Sequence, residues 1–179
     1  MNQSFCTALL VLVLMSSALH CPAAPPETLK VFLLAGQSNM QGQGVVAMDD
    51  PKDYNGGQGN LVWSMLHSVS KDRMGHLRDA DGKWAVRDDV EIRYKFRQKV
   101  RKGKLTVGYT GYGGDSHIGP ELQFGHIVGD HFDEPVLLIK TAWGGKSLHV
   151  DFRPPSCLGD TGTYYTQMIE EIREALADL

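Results

Sequence analysis

Two mainly apolar runs stand out in the part of the chain that follows residue 24. The first is LKVFLLA at residues 29–35, and the second is PVLLIKTAW at residues 135–143. Short apolar runs bounded by glycine or proline are typical of strands that are buried on both faces, as in parallel sheets. The pattern therefore predicts two buried parallel strands, one near each end of this part of the chain.

Between these runs the hydrophobic positions alternate with polar ones. VEIRYKF at residues 90–96 and KLTVGYT at residues 104–110 both alternate, and RQKVRKG separates them. Alternation of period two on both sides of a polar connection predicts an antiparallel hairpin with one solvated face. The preceding residues 49–88 are polar and rich in turn-forming residues, which predicts a long excursion from the sheet.

Two segments have helical spacing. In the glycine-rich segment from residue 111, Pro120 suits a first helical turn and Glu121 suits the positive end of a helix, while Gly125 and Gly129 count against one. Near the C-terminus, apolar residues recur at helical spacing with acidic residues opposite them. The first predicted apolar stripe is Leu122, Ile127 and Val128, and the second is Tyr165, Met168, Ile169, Ile172 and Leu176.

The predicted order is strand, long insertion with a hairpin, helix, strand, helix. Buried strands separated by helices predict an α/β fold, a three-layer sandwich with a parallel sheet of the flavodoxin-like type, into which the β-hairpin is inserted. Two parallel strands are too few for a stable sheet, and the last helix has no following strand to cover. We therefore expect the domain to be incomplete at its C-terminus.

The N-terminal residues have a different character. ALLVLVLM at residues 8–15 is followed by the small residues of SSALHCPAAPP, although MNQSF contains no lysine or arginine. This pattern predicts a signal peptide at residues 1–24, too short to span a bilayer, and leaves residues 25–179 as the N-terminal part of the domain. We expect a secreted or periplasmic protein with no membrane association after cleavage. The mature chain would retain only Cys157, so no internal disulfide is expected.

Composition and charge exclude several functions. The 179 residues are 42% hydrophobic and 22% charged, with a formal net charge of -3, so the chain lacks the basic surface of a nucleic-acid-binding protein. The glycine-rich segment lacks the Lys-Ser/Thr of a phosphate-binding loop, and the histidines lack H-x-x-x-H spacing. We expect neither a metal nor an organic cofactor; the pattern leaves the oligomeric state open.

Candidate chemistry lies in VFLLAGQSNMQGQG at residues 31–44. Ser38 follows the first predicted strand by three residues, so it lies at the carboxyl edge of the sheet, where ligands bind in open α/β folds. Its backbone N–H could face a developing oxyanion, and Gly144 and Gly145, after the second strand, leave room for a substrate oxygen. Gln37 and Asn39 could brace the site. The alternatives are a helix N-cap for Ser38 and an ordinary turn for Gly145.

Three segments in this order, GQSNM, GPELQFG and AWGGKSL, resemble the SGNH hydrolase superfamily, and more narrowly the sialate O-acetylesterase group and carbohydrate esterase family six. The resemblance covers residues 30–179. It implies that Ser38 is the nucleophile of a serine esterase that removes acetyl groups from a carbohydrate. It also implies that the backbone amides of Ser38 and Gly145 are oxyanion donors.

The chain also departs from that family. Its members take the catalytic histidine, the acidic partner and a third oxyanion donor from later blocks, and no Asp-x-x-His follows Gly145 here. The resemblance therefore implies that the base lies outside this chain; otherwise His149, His117, His126 or His131 would have to serve. The alternatives are a non-catalytic secreted carbohydrate-binding domain, a truncated inactive hydrolase, and a flavodoxin-like cofactor binder.

Overall fold

The computed structural model of the protein describes residues 28–48, 52–53, 55–69, 73–112 and 114–179. The predicted signal peptide lies outside these residues. Within these ranges, six strands and four α-helices follow one another, with a short 3-10 helix at Gly75–Leu77. The strands are β1 (Lys30–Gly36), β2 (Gly44–Val45), β3 (Arg87–Phe96), β4 (Lys99–Leu105), β5 (His117–Ile118) and β6 (Val136–Ala142). The helices are α1 (Ser38–Gln41), α2 (Leu61–His67), α3 (Pro120–His131) and α4 (Thr163–Ala177).

A four-stranded sheet in the order β1-β6-β3-β4 forms the centre of the fold. Strand β6 pairs in parallel with β1 on one side and with β3 on the other, whereas β4 is antiparallel to β3. All seven residues of β6 are buried, as a central strand of a covered sheet requires. Strands β2 and β5 form a separate antiparallel pair.

Helices cover the sheet on both faces. Helix α3 packs on one face, over a core that includes Leu34, Ile92 and Leu138. Helix α4 packs on the other face, where Ala175 and Ile172 contact Leu137 and Ile139 of β6. The predicted fold class, an α/β three-layer sandwich with a largely parallel sheet, is confirmed.

Strand β1 is not buried on both faces as the sequence predicts. Phe32 and Leu34 face the α3 side, but Val31 and Leu33 on the other side are 38% and 53% exposed. The reason is that α4 covers β6, the next strand, while β1 forms the edge of the sheet. The apolar run alone could not distinguish an edge strand from a central one.

The hairpin exists, but the predicted second strand was wrong and the hairpin is part of the main sheet. Strand β4 comprises Lys99–Leu105, most of which the sequence assigns to the connection, and the turn consists of Arg97 and Gln98. Arg97 has φ +55°, a left-handed conformation in which glycine or asparagine is the usual signal. Strand β3 pairs with β6. The alternating apolar residues of β3, Val90, Ile92 and Tyr94, are buried on the α3 face of the sheet.

Helix α3 is confirmed, with Pro120 in its first turn. The glycines that count against a helix form its contact face, because a Cβ at Gly125 would overlap Leu105 and one at Gly129 would lie 2.7 Å from Val90 Cγ2. Ile127, placed in the apolar stripe by its spacing, is exposed instead. Close helix–sheet contact therefore replaces a continuous hydrophobic stripe.

Helix α4 is also confirmed, but its buried face is rotated from the predicted one. The fully buried residues are Glu171 and Ala175, while Leu176, the last residue of the predicted stripe, is exposed. Opposite charges favour this orientation: Lys95 of β3 lies 2.8 Å from Glu174, and Arg93 pairs with Glu174 and Asp178. The charged face of β3 thus meets the acidic residues of α4.

The polar excursion contains structure that the turn signals concealed. Asn60 caps α2, its side-chain oxygen accepting from the Trp63 N–H at 2.9 Å. A small second core joins Leu77 of the 3-10 helix with Val46, Val107 and Leu122. Among the described residues, no helix combines the length and apolar character needed to cross a membrane.

Candidate active site

The loops that contain Ser38 and Gly145 leave neighbouring strands at the same edge of the sheet. Gly36, the last residue of β1, lies in register with Ala142, the last residue of β6. The Trp143 N–H donates to the Gly36 carbonyl at 3.2 Å and so extends the pairing by one residue. The two sequence segments selected for their chemistry therefore lie side by side at the carboxyl edge.

Ser38 is the first residue of α1, a single helical turn. The side-chain oxygen of Gln37 accepts both the Ser38 N–H, at 3.2 Å, and the Ser38 hydroxyl, at 3.1 Å. Gln37 rather than Ser38 is thus the N-cap, which removes the alternative reading of the serine. Gln37 Oε1 therefore lies in front of the Ser38 N–H, where a substrate oxygen would have to bind. Because Gln37 is exposed, its side chain can move away from this position. Asn39 is exposed on the same turn.

Gly144 and Gly145 have different structural reasons for being glycine. A Cβ on Gly144 would lie 2.9 Å from Gln41 Oε1 and 3.9 Å from Ser38 Cβ, so Gly144 lies against both residues. Gly145 has φ +74° and open space where its Cβ would be. Within the described residues its N–H has no protein acceptor. The loop therefore offers a backbone donor next to the serine.

Gln41 lies at the centre of three loops. Its carbonyl accepts from the Gly111 N–H at 3.2 Å, and a Cβ on Gly111 would lie 3.0 Å from the Gln41 side chain. Gln41 also contacts Gly144, so it joins the Ser38 turn to the loop that contains Gly111 and to the loop that contains Gly144. Tyr94 lies in the adjacent core, where its hydroxyl donates to the Ala142 carbonyl at 3.3 Å and burial raises its pKa.

A buried ion pair anchors the floor of this region. Lys140 Nζ lies 2.6 Å from Glu121 Oε2 and donates to the Tyr109 carbonyl at 2.7 Å, and both charged side chains are at most 1% exposed. Glu121 Oε1 also accepts from the Gly119 N–H at 2.9 Å. Glu121 is therefore engaged in holding the start of α3 to β6. Burial lowers the pKa of Lys140.

A family model matches residues 28–178, and its description is carbohydrate esterase, sialic acid-specific acetylesterase. The chain belongs to this family. The match spans both candidate loops, α3 and α4, so the family resemblance that the three segments predict is confirmed.

Comparison with solved structures gives a distant similarity to the 1.6 Å X-ray structure of a protein from Arabidopsis thaliana. That chain is 16% identical, with a TM-score of 0.44. The match covers 82% of this chain and 50% of the Arabidopsis chain, so this chain spans about half of that protein's length. Comparison with curated proteins gave no sequence match.

No histidine in the described part of this esterase-family chain is hydrogen-bonded to the Ser38 hydroxyl. His117 Nδ1 lies 2.8 Å from Ser116 Oγ, and His149 Nε2 lies 3.1 Å from an Arg153 nitrogen. His126 is a buried residue of α3, and His131 packs edge-on against Phe132. The four histidines considered as substitutes for a base thus have other surroundings.

Sequence reasoning did not single out Lys140 or Tyr94. The signal for Lys140 was present, since a lysine inside the apolar run VLLIKTAW needs a buried partner. Tyr94 carries no such signal, because an aromatic residue at a buried strand position is expected for packing alone. No group of three or more metal-ligating side chains occurs among residues 28–179 where the structure describes them.

Proposed function

We propose that this chain carries the nucleophile and two oxyanion donors of a serine esterase that removes O-acetyl groups from a carbohydrate. The observation that supports the proposal most directly is the contact between the two loops, in which Gly144 lies against Ser38 and Gln41. The Gly145 N–H beside them has no acceptor among the described residues. Membership of the carbohydrate esterase family supports the reaction class.

In the proposed reaction, Ser38 Oγ forms a bond to the acetyl carbonyl carbon as a base removes its proton. The Ser38 and Gly145 N–H groups stabilise the oxyanion, which requires Gln37 Oε1 to leave the position that it occupies. The bond to the sugar oxygen breaks as that oxygen takes the proton. Water then cleaves the acetyl-serine and releases acetate.

We propose that the base is a histidine outside this chain. The surroundings of Ser38 support this, since its hydroxyl donates to an amide oxygen rather than to an imidazole. A serine hydroxyl without a base is a weak nucleophile. A non-catalytic carbohydrate-binding domain that uses the same loops is the second candidate, and the same observation favours it.

Imidazole rescue tests these proposals. We would measure acetate release from O-acetylated methyl glycosides by the 179-residue chain and by Ser38→Ala, each with and without added imidazole. Release that needs both Ser38 and imidazole is the expected result. Ser38-dependent release without imidazole would place the base within the chain, and His117→Phe and His149→Ala would follow. Equal rates for the chain and Ser38→Ala under all conditions would contradict the esterase proposal.

We also propose export with removal of a leader that lies within residues 1–24, by cleavage after Ala18 or Ala23. The apolar run at residues 8–15 and the small residues after it support this. Expression of the chain from Met1 in a secreting host, with N-terminal sequencing of the protein in the medium, is the test. Retention of Met1 in a cell-associated product would contradict it.

A further inference from the structure

An aromatic platform lies beside the Ser38 turn, formed by Tyr112 and His117. Their rings stack with centroids 4.1 Å apart and planes inclined by 14°. His117 belongs to β5 and pairs with Val45, and its Nδ1 is held by Ser116 Oγ. The Tyr112 residue is 42% exposed although its ring is stacked, so part of the ring is accessible to a ligand.

The loop that carries Tyr112 is fixed by a single arginine. One guanidinium nitrogen of Arg101, in β4, donates to the carbonyls of Gly108, Thr110 and Tyr112 at 2.9, 2.8 and 2.6 Å. Three carbonyls converging on one cation hold the loop in one conformation. A side chain presented by such a loop loses little conformational freedom when a ligand binds.

The same loop packs directly on the candidate active site. Thr110 is fully buried against Gly42, the residue that ends α1, where a Cβ would lie 2.8 Å from Thr110 Cγ2. Gly111, the neighbour of Tyr112, contacts Gln41, which in turn lies against Gly144. Gln41, in the same helical turn as Ser38, therefore connects that turn to the loop that carries Tyr112.

We propose that the Tyr112–His117 platform binds the pyranose ring of the O-acetylated substrate while the acetyl group reaches Ser38. A pyranose presents C–H groups on its faces and hydroxyls around its rim, and a half-exposed tyrosine ring offers the matching apolar surface with a polar tip. This assignment rests on the proposed esterase function. It makes Tyr112 a substrate-binding residue and His117 the residue that positions it.

Binding and turnover are measured separately, so that a failure of the platform differs from a failure of the esterase proposal. Binding of O-acetylated methyl glycosides of glucose, galactose, xylose and sialic acid to Ser38→Ala is followed by ligand-observed saturation-transfer NMR, which needs no catalysis. Adding Tyr112→Ala should weaken the binding of the best ligand about tenfold. With imidazole and Ser38 present, Tyr112→Ala should lower the ratio of acetyl-glycoside to p-nitrophenyl acetate turnover by a similar factor.

The matched control is His67→Ala, which removes the exposed partner of another stacked pair, Trp63–His67, on α2. This variant should leave binding and turnover unchanged. His117→Phe should retain sugar binding because it keeps an aromatic partner for Tyr112. Binding that is lost in His67→Ala but kept in Tyr112→Ala would overturn the proposal. A failure of all four glycosides to bind would also overturn it. If glycosides bind through Tyr112 but no Ser38-dependent turnover occurs, the platform stands and the esterase proposal fails.

Discussion

The Lys140–Glu121 pair joins the central strand to the start of α3 beneath the Ser38 turn. Both charges are removed from water, and the hydrogen bonds to the Gly119 N–H and the Tyr109 carbonyl are what make their burial tolerable. A buried pair of this kind is weak evidence for net stability, but removing one partner leaves the other charge uncompensated. The pair thus fixes geometry at the site more than it stabilises the fold.

Replacing Lys140 by methionine should lower the free energy of unfolding by about 3–5 kcal/mol, because Glu121 would be left buried and unpaired. The double variant Lys140→Met with Glu121→Leu should recover most of this loss. Urea unfolding at neutral pH is the measurement. The control is Glu134→Gln at the exposed Lys30–Glu134 pair, which should leave the midpoint near that of the unmodified protein. A single-variant loss no larger than that of the control would show that the buried charges are compensated in another way.

Single residues of the site were predictable where the chemistry demands a particular type. Ser38 and Gly145 could be placed because parallel strands end at one edge of the sheet, a consequence of topology alone. Gln37 could be assigned only a general supporting role. The two hydrogen bonds that its side-chain oxygen accepts from Ser38 depend on the side-chain rotamer, which the sequence does not predict. The Tyr112–His117 stack joins residues whose contact depends on the path of a loop, and no periodicity encodes that path.

At the scale of elements, the turn of the hairpin explains the main error of the sequence interpretation. Arg97 and Gln98 form a two-residue turn without glycine, asparagine or aspartate, while Gly103, a residue that suggests a turn, lies inside β4 with φ +153°. The absence of a Cβ at Gly103 leaves room for the Tyr109 hydroxyl, which would lie 3.0 Å from a Cβ at this position. Packing rather than local preference therefore set the register of β4.

Helix α3 shows the same priority of packing over propensity, and a substitution can measure it. Gly125→Ala would favour the isolated helix by up to about 1 kcal/mol. In the folded protein the new methyl would overlap Leu105 and lie 3.0 Å from Leu138 Cδ1, both fully buried. We expect a net loss of about 1–3 kcal/mol in the free energy of unfolding.

A double-mutant cycle with Leu105→Ala identifies the cause of that loss. Leu105→Ala alone should cost about 2–5 kcal/mol, as a cavity does. With space made at Leu105, the additional cost of Gly125→Ala should become small or change sign. Strictly additive losses, measured by denaturant unfolding, would show that the two sites do not compete for the same space.

At the scale of the whole molecule, the three layers were predictable because each helix and buried strand has its own signal. Their arrangement was not, since the number of strands depends on β3 joining β6 through long-range pairing. The exposed Val31 and Leu33 follow from the same cause, because α4 covers β6 and leaves the edge strand open on that side. The order of strands, not their composition, decides which apolar faces are covered.

One buried histidine, in contact with the histidine of the 3-10 helix, gives the fold a predictable pH dependence. His126, on α3, is 2% exposed, and its ring lies 4.9 Å from that of His76. Its Nε2 has no hydrogen-bond partner in the part of the chain that the structure describes. Asp89 and Asp130 oppose the effect of burial on His126, while Arg87, which pairs with both carboxylates, adds to it. Burial, followed by His76, lowers the pKa of His126 to about 4.

Because the native pKa lies below the unfolded value of about 6.5, the unfolded chain binds the proton more readily, and stability falls as the pH falls from 7 towards 4. Between pH 7 and pH 5 the His126 contribution should be about 2 kcal/mol. The free energy of unfolding is measured with urea at pH 7 and pH 5, and in His126→Leu the difference between the two values should be smaller by about 2 kcal/mol. His131→Gln, at an exposed histidine of the same helix, should show the same difference as the unmodified protein. An unchanged difference in His126→Leu would mean that the imidazole takes up its proton without opening the contact between α3 and the 3-10 helix.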